Sequence, residues 1–258
     1  MRPAPVAPAA PILIETASLS KRYSDAPAVL VDVGIAVREG ETVALVGANG
    51  AGKSTLLKVV VGLREFDGGT VSIFGERFSG SATRAQQVAI RRGIGFVFQQ
   101  HGLVRRHSAL TNVVQGMLGA AGGWRAIHQA IAPAEWREAA LAALDAVRLS
   151  GKADSRADQL SGGQSQRVAI ARALVRKPRL LIADEPAASL DPAAGHEVMQ
   201  TFADIAAEQR TTLLFTTHDM EHALSYARRV IALKGGRVFL DAESRDLRLT
   251  DLEAVFRG

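Results

Sequence analysis

The stretch "GANGAGKST", residues 47–55, combines glycines with a lysine and two hydroxyls in the spacing Gly-x-x-x-x-Gly-Lys-Ser. It lies between the apolar run "ETVALVG" and a pattern that predicts a helix from about Lys53, so backbone N–H groups and a helix dipole would face a bound phosphate. We expect Lys53 to reach the β- and γ-phosphates of a nucleotide and the Ser54 hydroxyl to bind Mg²⁺; the alternative is a glycine-rich turn with an exposed lysine. The expected phosphate-binding residues are Gly47, Ala48, Asn49, Gly50, Ala51, Gly52, Lys53, Ser54 and Thr55.

Two adjacent acids follow the apolar run in "LLIADEP". A strand that ends at Asp184 puts a carboxylate at the carboxyl edge of a sheet, where it can hold Mg²⁺ through water. Neighbouring carboxylates repel each other unless a cation or a polarised water uses them. We therefore predict that Glu185 is the base that orients and activates the attacking water. The alternative is a solvated acidic turn that ends at Pro186.

A second glycine pair occurs in "LSGGQSQRVAIARAL", residues 160–174. Ser161 and Gln164 have the Ser-x-x-Gln spacing of a capping box, which predicts a helix start. That cap does not explain Gly162 and Gly163, because each glycine costs roughly 1 kcal/mol relative to alanine in a helical turn. A bare backbone at a helix N-terminus suits an incoming phosphate. The sequence thus holds two candidate phosphate-binding devices.

Composition limits the class of protein. The chain has 258 residues, 47% of them hydrophobic and 22% charged, and no cysteine, which excludes disulfides and thiolate metal sites. No apolar stretch approaches the roughly 18 residues that span a bilayer, so we expect a cytoplasmic protein. The net charge is +5, and the lysines and arginines are scattered along the chain rather than clustered. An anionic membrane surface or an acidic nucleotide explains this charge as well as a nucleic-acid partner does.

The order of elements predicts an α/β sheet with a helical insert. Residues 1–11, "MRPAPVAPAAP", read as a flexible leader, and order should begin near Ile12. Strand patterns in "TVSIFG" and "GIGFVFQ" precede a helical stretch at about residues 100–160, which contains "AEWREAALAALDAV". The continuous apolar runs "RLLIAD" and "TTLLFTTH" are typical of parallel strands buried on both faces.

Six motifs in order, "GANGAGKST", "FVFQQ", "LSGGQ", "LLIADEP", "SLD" and "TTHD", resemble the nucleotide-binding subunit of ATP-binding cassette transporters, from about Ile12 to the end of the chain. The resemblance implies one nucleotide-binding domain over residues 12–258. Its fold would be α/β: a phosphate-loop NTPase core with a mostly parallel sheet, an antiparallel β subdomain and an inserted helical subdomain. ATP and Mg²⁺ are the implied cofactors.

The resemblance also implies a shared site. The signature "LSGGQ" of one subunit would contact the γ-phosphate of ATP held by the phosphate loop of a second copy, with Ser161 and Gly163 in contact. Two cassettes would then close around two ATP molecules, and hydrolysis would release them. Asp191, in the loop that crosses this interface, also has the pattern of an N-cap followed by Pro192.

Three further site residues are carried over from the resemblance. Tyr23 would stack on adenine, the alternative being a surface tyrosine at a strand end. Gln99, beside Gln100, would sense Mg²⁺ and the attacking water, and His218 would hydrogen-bond the γ-phosphate. His218 and His222 also have the i, i+4 spacing of a metal pair, but no third ligand is evident nearby.

The resemblance predicts a motor that acts on separate partners. Coiled-coil relatives, two-cassette relatives and fused exporters are disfavoured, because the chain has one cassette and lacks long heptads and membrane helices. The expected partners are a second copy, integral membrane permease subunits and, indirectly, a substrate-binding protein, at the cytoplasmic face of the inner membrane. A soluble ATPase that acts on nucleic acid or a partner protein is the rival hypothesis.

Two segments bear on substrate and docking. "FQQHGLVRRHSALTNV" and the tail "GGRVFLDAESRDLRLTDLEAVFRG" look most similar to phosphonate-import ATPases, although Ser165 replaces the glutamine common there. Phosphonate or a related phosphorus oxyanion is the expected substrate; the alternatives are another small-solute importer or a lipid or lipoprotein exporter. Leu103, Val104 and Arg105 are predicted to line a groove that receives the permease, or else they form a loop with solvated arginines.

Overall fold

Ten strands form two sheets in the computed structural model of the chain, which describes residues 10–24, 26–99 and 101–256. Residues 1–9 of the predicted leader and Gln100 lie outside the described residues. The strands are β1 (Ile12–Lys21), β2 (Leu30–Arg38), β3 (Thr42–Val46), β4 (Gly68–Ile73), β5 (Glu76–Phe78), β6 (Ile94–Val97), β7 (Leu180–Asp184), β8 (Thr212–Thr217), β9 (Arg229–Lys234) and β10 (Arg237–Glu243).

Eight α-helices accompany the sheets within those ranges. They are α1 (Lys53–Val60), α2 (Arg84–Arg92), α3 (Ala109–Val114), α4 (Ala134–Ala146), α5 (Gly162–Leu174), α6 (Pro192–Gln209), α7 (Met220–Tyr226) and α8 (Leu249–Phe256). Short 3₁₀ turns lie at Gln115–Gly119, Gly123–Ile127, Ser150–Lys152, Ala157–Gln159 and Ser244–Asp246. None of the helices in this part of the chain is long and apolar enough to cross a membrane.

The larger sheet has the strand order β10-β9-β3-β8-β7-β6, and all of its neighbours are parallel except the edge pair β9 and β10. Every residue of β7 and β8 is buried, as the continuous apolar runs predict. Alternate side chains of these strands face opposite cores. On β3, for example, Ala44 and Val46 join one core, while Val43 and Leu45 join the other.

The smaller sheet is antiparallel, in the order β2-β1-β4-β5, and its apolar face shares a core with α1 and one face of the larger sheet. This arrangement of a mostly parallel sheet with an antiparallel β subdomain confirms the predicted α/β fold class. It also places the N-terminus of α1, and therefore the phosphate loop, between the two sheets.

The chain between β6 and β7 is helical. In α4 the side chains of Ala140 and Leu144 are buried, Val147 follows at its C-cap, and Trp136 is partly buried against the same core. On α5 the side chains of Val168, Ala171 and Leu174 are buried, and so is that of Val175 at its C-cap. Because α5 packs on α3, α4 and β6, the helical region and the sheet share one core. The proposed bounds of the insert, about 100 and 160, stay a prediction.

Candidate functional site

The motifs "GANGAGKST", "LLIADEP" and "TTHD" meet at the carboxyl edge of the larger sheet. Val46 pairs with Thr217, and Asp184 pairs with Thr216, so the ends of β3, β8 and β7 lie side by side. The phosphate loop, His218 and Glu185 leave the sheet from these three ends. This edge is where parallel α/β sheets bind their ligands.

The phosphate loop encloses a cavity of about 190 Å³ that is lined by Val29, residues 49–55 and Glu185. Lys53 is 5% exposed, and its Nζ donates to the carbonyl oxygens of Gly47 (2.7 Å) and Ala48 (3.3 Å). Among the described residues no side chain caps the start of α1, whereas Ser161 and Asp191 cap α5 and α6. The first N–H groups of α1 are thus left for a ligand, which fits a bound phosphate.

Two glycines determine the shape of this loop. A Cβ on Gly47, where φ is 152°, would lie 2.4 Å from the carbonyl oxygen of Leu233. A Cβ on Gly52, where φ is 102°, would lie 2.7 Å from the carbonyl oxygen of Val29. A residue with a Cβ rarely adopts these positive φ angles, and its Cβ would clash with the neighbouring backbone at either position. The cradle therefore requires glycine at both positions.

Asp184 and Glu185 form a network of polar contacts with residues of the phosphate loop, Thr216 and His218. Asp184 Oδ1 accepts hydrogen bonds from Ser54 Oγ (3.0 Å) and Thr216 Oγ1 (2.8 Å). The Glu185 carboxylate lies between two nitrogens: its Oε1 is 3.6 Å from Lys53 Nζ, and its Oε2 is 3.7 Å from His218 Nδ1. Hydroxyl and carboxylate oxygens are the ligands that Mg²⁺ prefers, so Ser54 and Asp184 fit the predicted metal site.

Gln99 is exposed two residues beyond β6, at the same edge of the sheet. The segment that follows it is tied to α5. His101 Nε2 lies 3.2 Å from the carbonyl oxygen of Gly162, and the Arg172 guanidinium donates to the carbonyl oxygens of His101 and Gly102 at 2.7 Å each. Burial lowers the pKa of Arg172. Gln99 therefore leads into a segment anchored on the helix that carries the signature.

The signature itself begins α5. The predicted capping box is confirmed: Ser161 Oγ accepts from the N–H of Gln164 at 3.2 Å, and Gln164 Oε1 accepts from the N–H of Ser161 at 3.0 Å. A Cβ on Gly162 would lie 3.1 Å from Leu190 Cδ2, and one on Gly163 would lie 3.4 Å from Ala194 Cβ. The sequence argument overlooked this close packing against the start of α6, which gives Gly162 a structural reason of its own.

Among the described residues, those that line the phosphate-loop cavity do not include the signature of the same chain. The two devices thus form separate sites within one molecule. Nearby, the predicted N-cap is confirmed, since Asp191 Oδ1 accepts from the N–H of Ala194 at 3.0 Å and Pro192 opens α6.

Tyr23 is 37% exposed just beyond β1, and the ammonium of Lys21 lies 5.3 Å from the centre of its ring. Its ring therefore has one face near a cation and is accessible at the surface. Both the adenine-stacking role and the surface role stay predictions.

His218 and His222 have different partners. The His218 side chain is 54% exposed and faces Glu185, whereas His222 is buried with its ring centroid 4.8 Å from that of His196 and 5.7 Å from that of Tyr226. Burial lowers the pKa of His222, which favours its neutral form. Its packing between these rings accounts for its position without a metal ion.

Sequence reasoning missed four residues of the site. Val29 lines the cavity, and its carbonyl oxygen leaves no space for a side chain at position 52. Thr216 contacts both Asp184 and Glu185. His101 and Arg172 anchor the segment after Gln99. The hydroxyls in "TTHD" were a signal for Thr216, but the other three contacts depend on segments far apart in sequence and become visible only once the chain is folded.

Comparisons with known proteins agree with this geometry. A family model described as "ABC transporter" matches residues 30–188. The chain is 44% identical over 238 residues to the phosphonates import ATP-binding protein PhnC 2 of Pseudomonas savastanoi pv. phaseolicola, covering 91% of this chain and 85% of that one. It is 43% identical over 247 residues to the phosphate-import ATP-binding protein PhnC of Mycolicibacterium smegmatis, covering 95% and 92%.

A solved structure is also similar. The dimeric post-hydrolysis structure of the ATP-binding cassette MJ0796, bound to ADP and Pi, matches with a TM-score of 0.76 and 32% identity, covering 90% of this chain and 99% of that one. The structural match covers a larger share of the chain than the family model, which matches residues 30–188.

Replacing Gly52 with alanine tests the cradle. We expect Gly52→Ala to weaken nucleotide binding by at least about tenfold, because a new Cβ would meet Val29 and Leu30 at under 3.0 Å. Gly75→Ala is the matched control, since φ is 84° there but nothing lies within 4 Å of the added Cβ. Titration with a fluorescent nucleotide measures both variants; equal affinities would contradict the requirement for glycine.

Proposed function

The chain belongs to the ABC transporter family, and on that premise we propose that it is the ATP-hydrolysing motor of an importer for phosphonate or a related phosphorus oxyanion. The observation that carries the proposal is the approach of Glu185 to the phosphate loop, 3.6 Å from Lys53. A carboxylate beside a phosphate cradle is the arrangement that a water-activating base needs.

Different residues at the cavity would bind the phosphates and the Mg²⁺ ion. The loop N–H groups and the Lys53 ammonium would hold the β- and γ-phosphates, and Lys53 would exchange the carbonyl oxygens of Gly47 and Ala48 for phosphate oxygens. Ser54, Asp184 and Gln99 would hold Mg²⁺, which supplies positive charge to the phosphate oxygens when bound.

Glu185 accepts the proton of the attacking water in this proposal. Its carboxylate is 16% exposed at the rim of the cavity, so a water molecule can reach it. His218, on the other side of that carboxylate, would hydrogen-bond the γ-phosphate and keep Glu185 between two nitrogens. Both contacts orient the base toward the loop.

A second copy would complete the site. The cavity of one chain does not contain its own signature among the described lining residues, so a partner's Ser161, Gly162, Gly163 and Gln164 have space to approach it. Asp191 would lie in the same interface, and Tyr23 would stack on adenine. The match to a dimeric cassette bound to ADP and Pi supports a closed pair of this kind.

The permease would dock beside Gln99, at the cytoplasmic face of the inner membrane. Val104 is 43% exposed, Leu103 packs partly on the core, and Arg105 and Arg106 are exposed. This surface offers apolar contact together with positive charge to a partner helix. Its anchoring to α5 through Arg172 would carry movement at Gln99 into the docked subunit.

The substrate assignment depends on the relatives. Relatives named for phosphonate import share 42–44% identity with about nine-tenths of the chain, while the mycobacterial relative at 43% is named for phosphate import. Both names describe tetrahedral phosphorus oxyanions. We propose phosphonate, delivered by a substrate-binding protein, with phosphate as the second candidate.

Glu185→Gln tests the chemistry. The amide keeps the shape of the side chain but is a poor proton acceptor, so we expect turnover to fall at least about a hundredfold while ATP binding is retained. The variant should accumulate as an ATP-bound dimer on gel filtration. Glu208→Gln, at an exposed position near the end of α6, is the matched control. Turnover close to wild type in Glu185→Gln would remove Glu185 from this role.

Mixed dimers test the shared site. Chains with Lys53→Ala and chains with Ser161→Arg should each be inactive alone, because every site then carries one lesion. In a heterodimer with the signature acting in trans, one site is doubly damaged and the other is intact. We expect doubly tagged, purified heterodimers to recover ATP binding at one site. Heterodimers without any competent site would contradict the trans arrangement.

Uptake assays in a deletion strain test the substrate. Cells that lack this chain should lose uptake of a labelled phosphonate and keep uptake of inorganic phosphate, and the wild-type gene should restore the loss while Lys53→Ala should not. Loss of phosphate uptake instead would assign phosphate. Unchanged uptake of both anions would contradict the proposed substrate class.

A further inference from the structure

Thr216 lies at the centre of the polar group at the sheet edge, and it is the first residue of the motif "TTHD", to which no role was assigned at this position. It is fully buried on β8 and stands opposite Asp184 on β7 in the parallel ladder. Its hydroxyl donates to Asp184 Oδ1 at 2.8 Å and accepts from the backbone N–H of Glu185, also at 2.8 Å. A hydroxyl has one proton and two lone pairs, so this one residue can bond both acids at once.

The bond to the Glu185 N–H bears on the backbone there. Glu185 has a φ of 48°, in the left-handed region that residues with a Cβ seldom occupy. Its N–H lies just beyond the last residue of β7 and bonds the Thr216 side chain. A conformation of this kind persists only where the surroundings hold it. Here the Thr216 hydroxyl holds the Glu185 N–H, while the N–H of Ala188 donates to the Glu185 carbonyl oxygen at 3.2 Å.

The turn determines where the Glu185 carboxylate points. With the chain turned at this residue, Oε1 lies 3.6 Å from Lys53 Nζ and Oε2 lies 3.7 Å from His218 Nδ1. The second bond of Thr216 fixes Asp184 Oδ1, which also accepts from Ser54 Oγ. Ser54 can then leave Asp184 for another ligand without freeing the carboxylate.

We propose that Thr216 is a positioning residue for ATP hydrolysis: its hydroxyl sets the backbone turn that aims Glu185 at the phosphate loop and orients Asp184 beside Ser54. The proposal rests on the proposed function, in which Glu185 activates water and Asp184 helps to hold Mg²⁺. Thr216 is not among the described residues that line the phosphate-loop cavity, so it acts through the two acids that it bonds.

Thr212 provides a matched control on the same strand. It is as fully buried as Thr216, and its hydroxyl accepts one backbone hydrogen bond, from the N–H of Gly40 at 2.9 Å. It lies at the amino end of β8, beside the turn between β2 and β3, and away from the phosphate loop. Loss of the Thr216 hydroxyl leaves the N–H of half-buried Glu185 without its partner, whereas Gly40 is exposed and its N–H can bond water after loss of the Thr212 hydroxyl.

The experiment compares Thr216→Val, Thr216→Ser and Thr212→Val in the full chain. We expect Thr216→Val to lower kcat by on the order of tenfold to a hundredfold with a smaller effect on KM, because the base is misaligned while most phosphate contacts remain. Thr216→Ser keeps the hydroxyl and should retain most of the turnover. Thr212→Val also removes a buried hydroxyl from β8 but should leave kcat close to that of the wild type.

Nucleotide titration with and without Mg²⁺ gives a readout that does not depend on turnover. We expect the gain in nucleotide affinity on adding Mg²⁺ to be smaller in Thr216→Val than in the wild type and in Thr212→Val. A loss of kcat with an unchanged Mg²⁺-dependent gain would overturn the part of the proposal that concerns Asp184. If Thr216→Val does not fold, Thr216→Ala replaces it.

The proposal as a whole is overturned if Thr216→Val and Thr212→Val behave alike in both measurements, or if Thr216→Ser loses as much turnover as Thr216→Val. Glu185→Gln separates this failure from that of the proposed function. Wild-type hydrolysis that is lost in Glu185→Gln but unaffected in Thr216→Val would reject the positioning role alone. Full turnover in Glu185→Gln would reject the role of the base on which it rests.

Discussion

The parallel backbone ladder that joins β3, β8 and β7 is the interaction on which the site depends. Side chains alternate along a strand, so a slip of one residue in this pairing would turn each polar residue at the edge into the opposite core. The observed register places Val46 beside Thr217 and Asp184 beside Thr216. Only in this register do the phosphate loop, the acids and His218 leave the sheet at one point, with Ser54 within hydrogen-bond distance of Asp184.

Burial on both faces is what fixes that register. Each central strand contributes alternate side chains to two cores, so neither face tolerates a polar residue without a partner. At the amino end of the strands, ion pairs of Arg229 add to this constraint. Its guanidinium donates to both carboxylate oxygens of Asp241 at 2.6 and 2.7 Å and to Glu41 at 3.2 Å. Its hydrogen bonds to Asp241 raise the pKa of Arg229, so the group stays charged. The carboxyl edge remains free for a ligand.

Local patterns in the sequence predicted what depends on local physics. The Ser161 capping box, the Asp191 N-cap and the buried runs of β7 and β8 are all present, because each depends on residues a few positions apart. The packing of Gly162 on Leu190 and the bonds of Thr216 join segments that are distant in the chain. Such contacts follow from register and helix packing, which a single sequence does not specify at the level of individual atoms.

Helix α5 joins the signature to the segment that follows Gln99. Its N-terminus carries the signature, whose Gly162 carbonyl lies 3.2 Å from His101, and further along the helix Arg172 bonds the carbonyl oxygens of His101 and Gly102. These contacts attach the segment after Gln99 to one rigid helix at two levels. In the proposed dimer, a shift of that segment at the sheet edge would move the signature, and contact of a partner with the signature would move the segment. In the proposed motor, coupling between the two sites would run through this helix, by way of the Gly162 carbonyl and the half-buried Arg172 side chain.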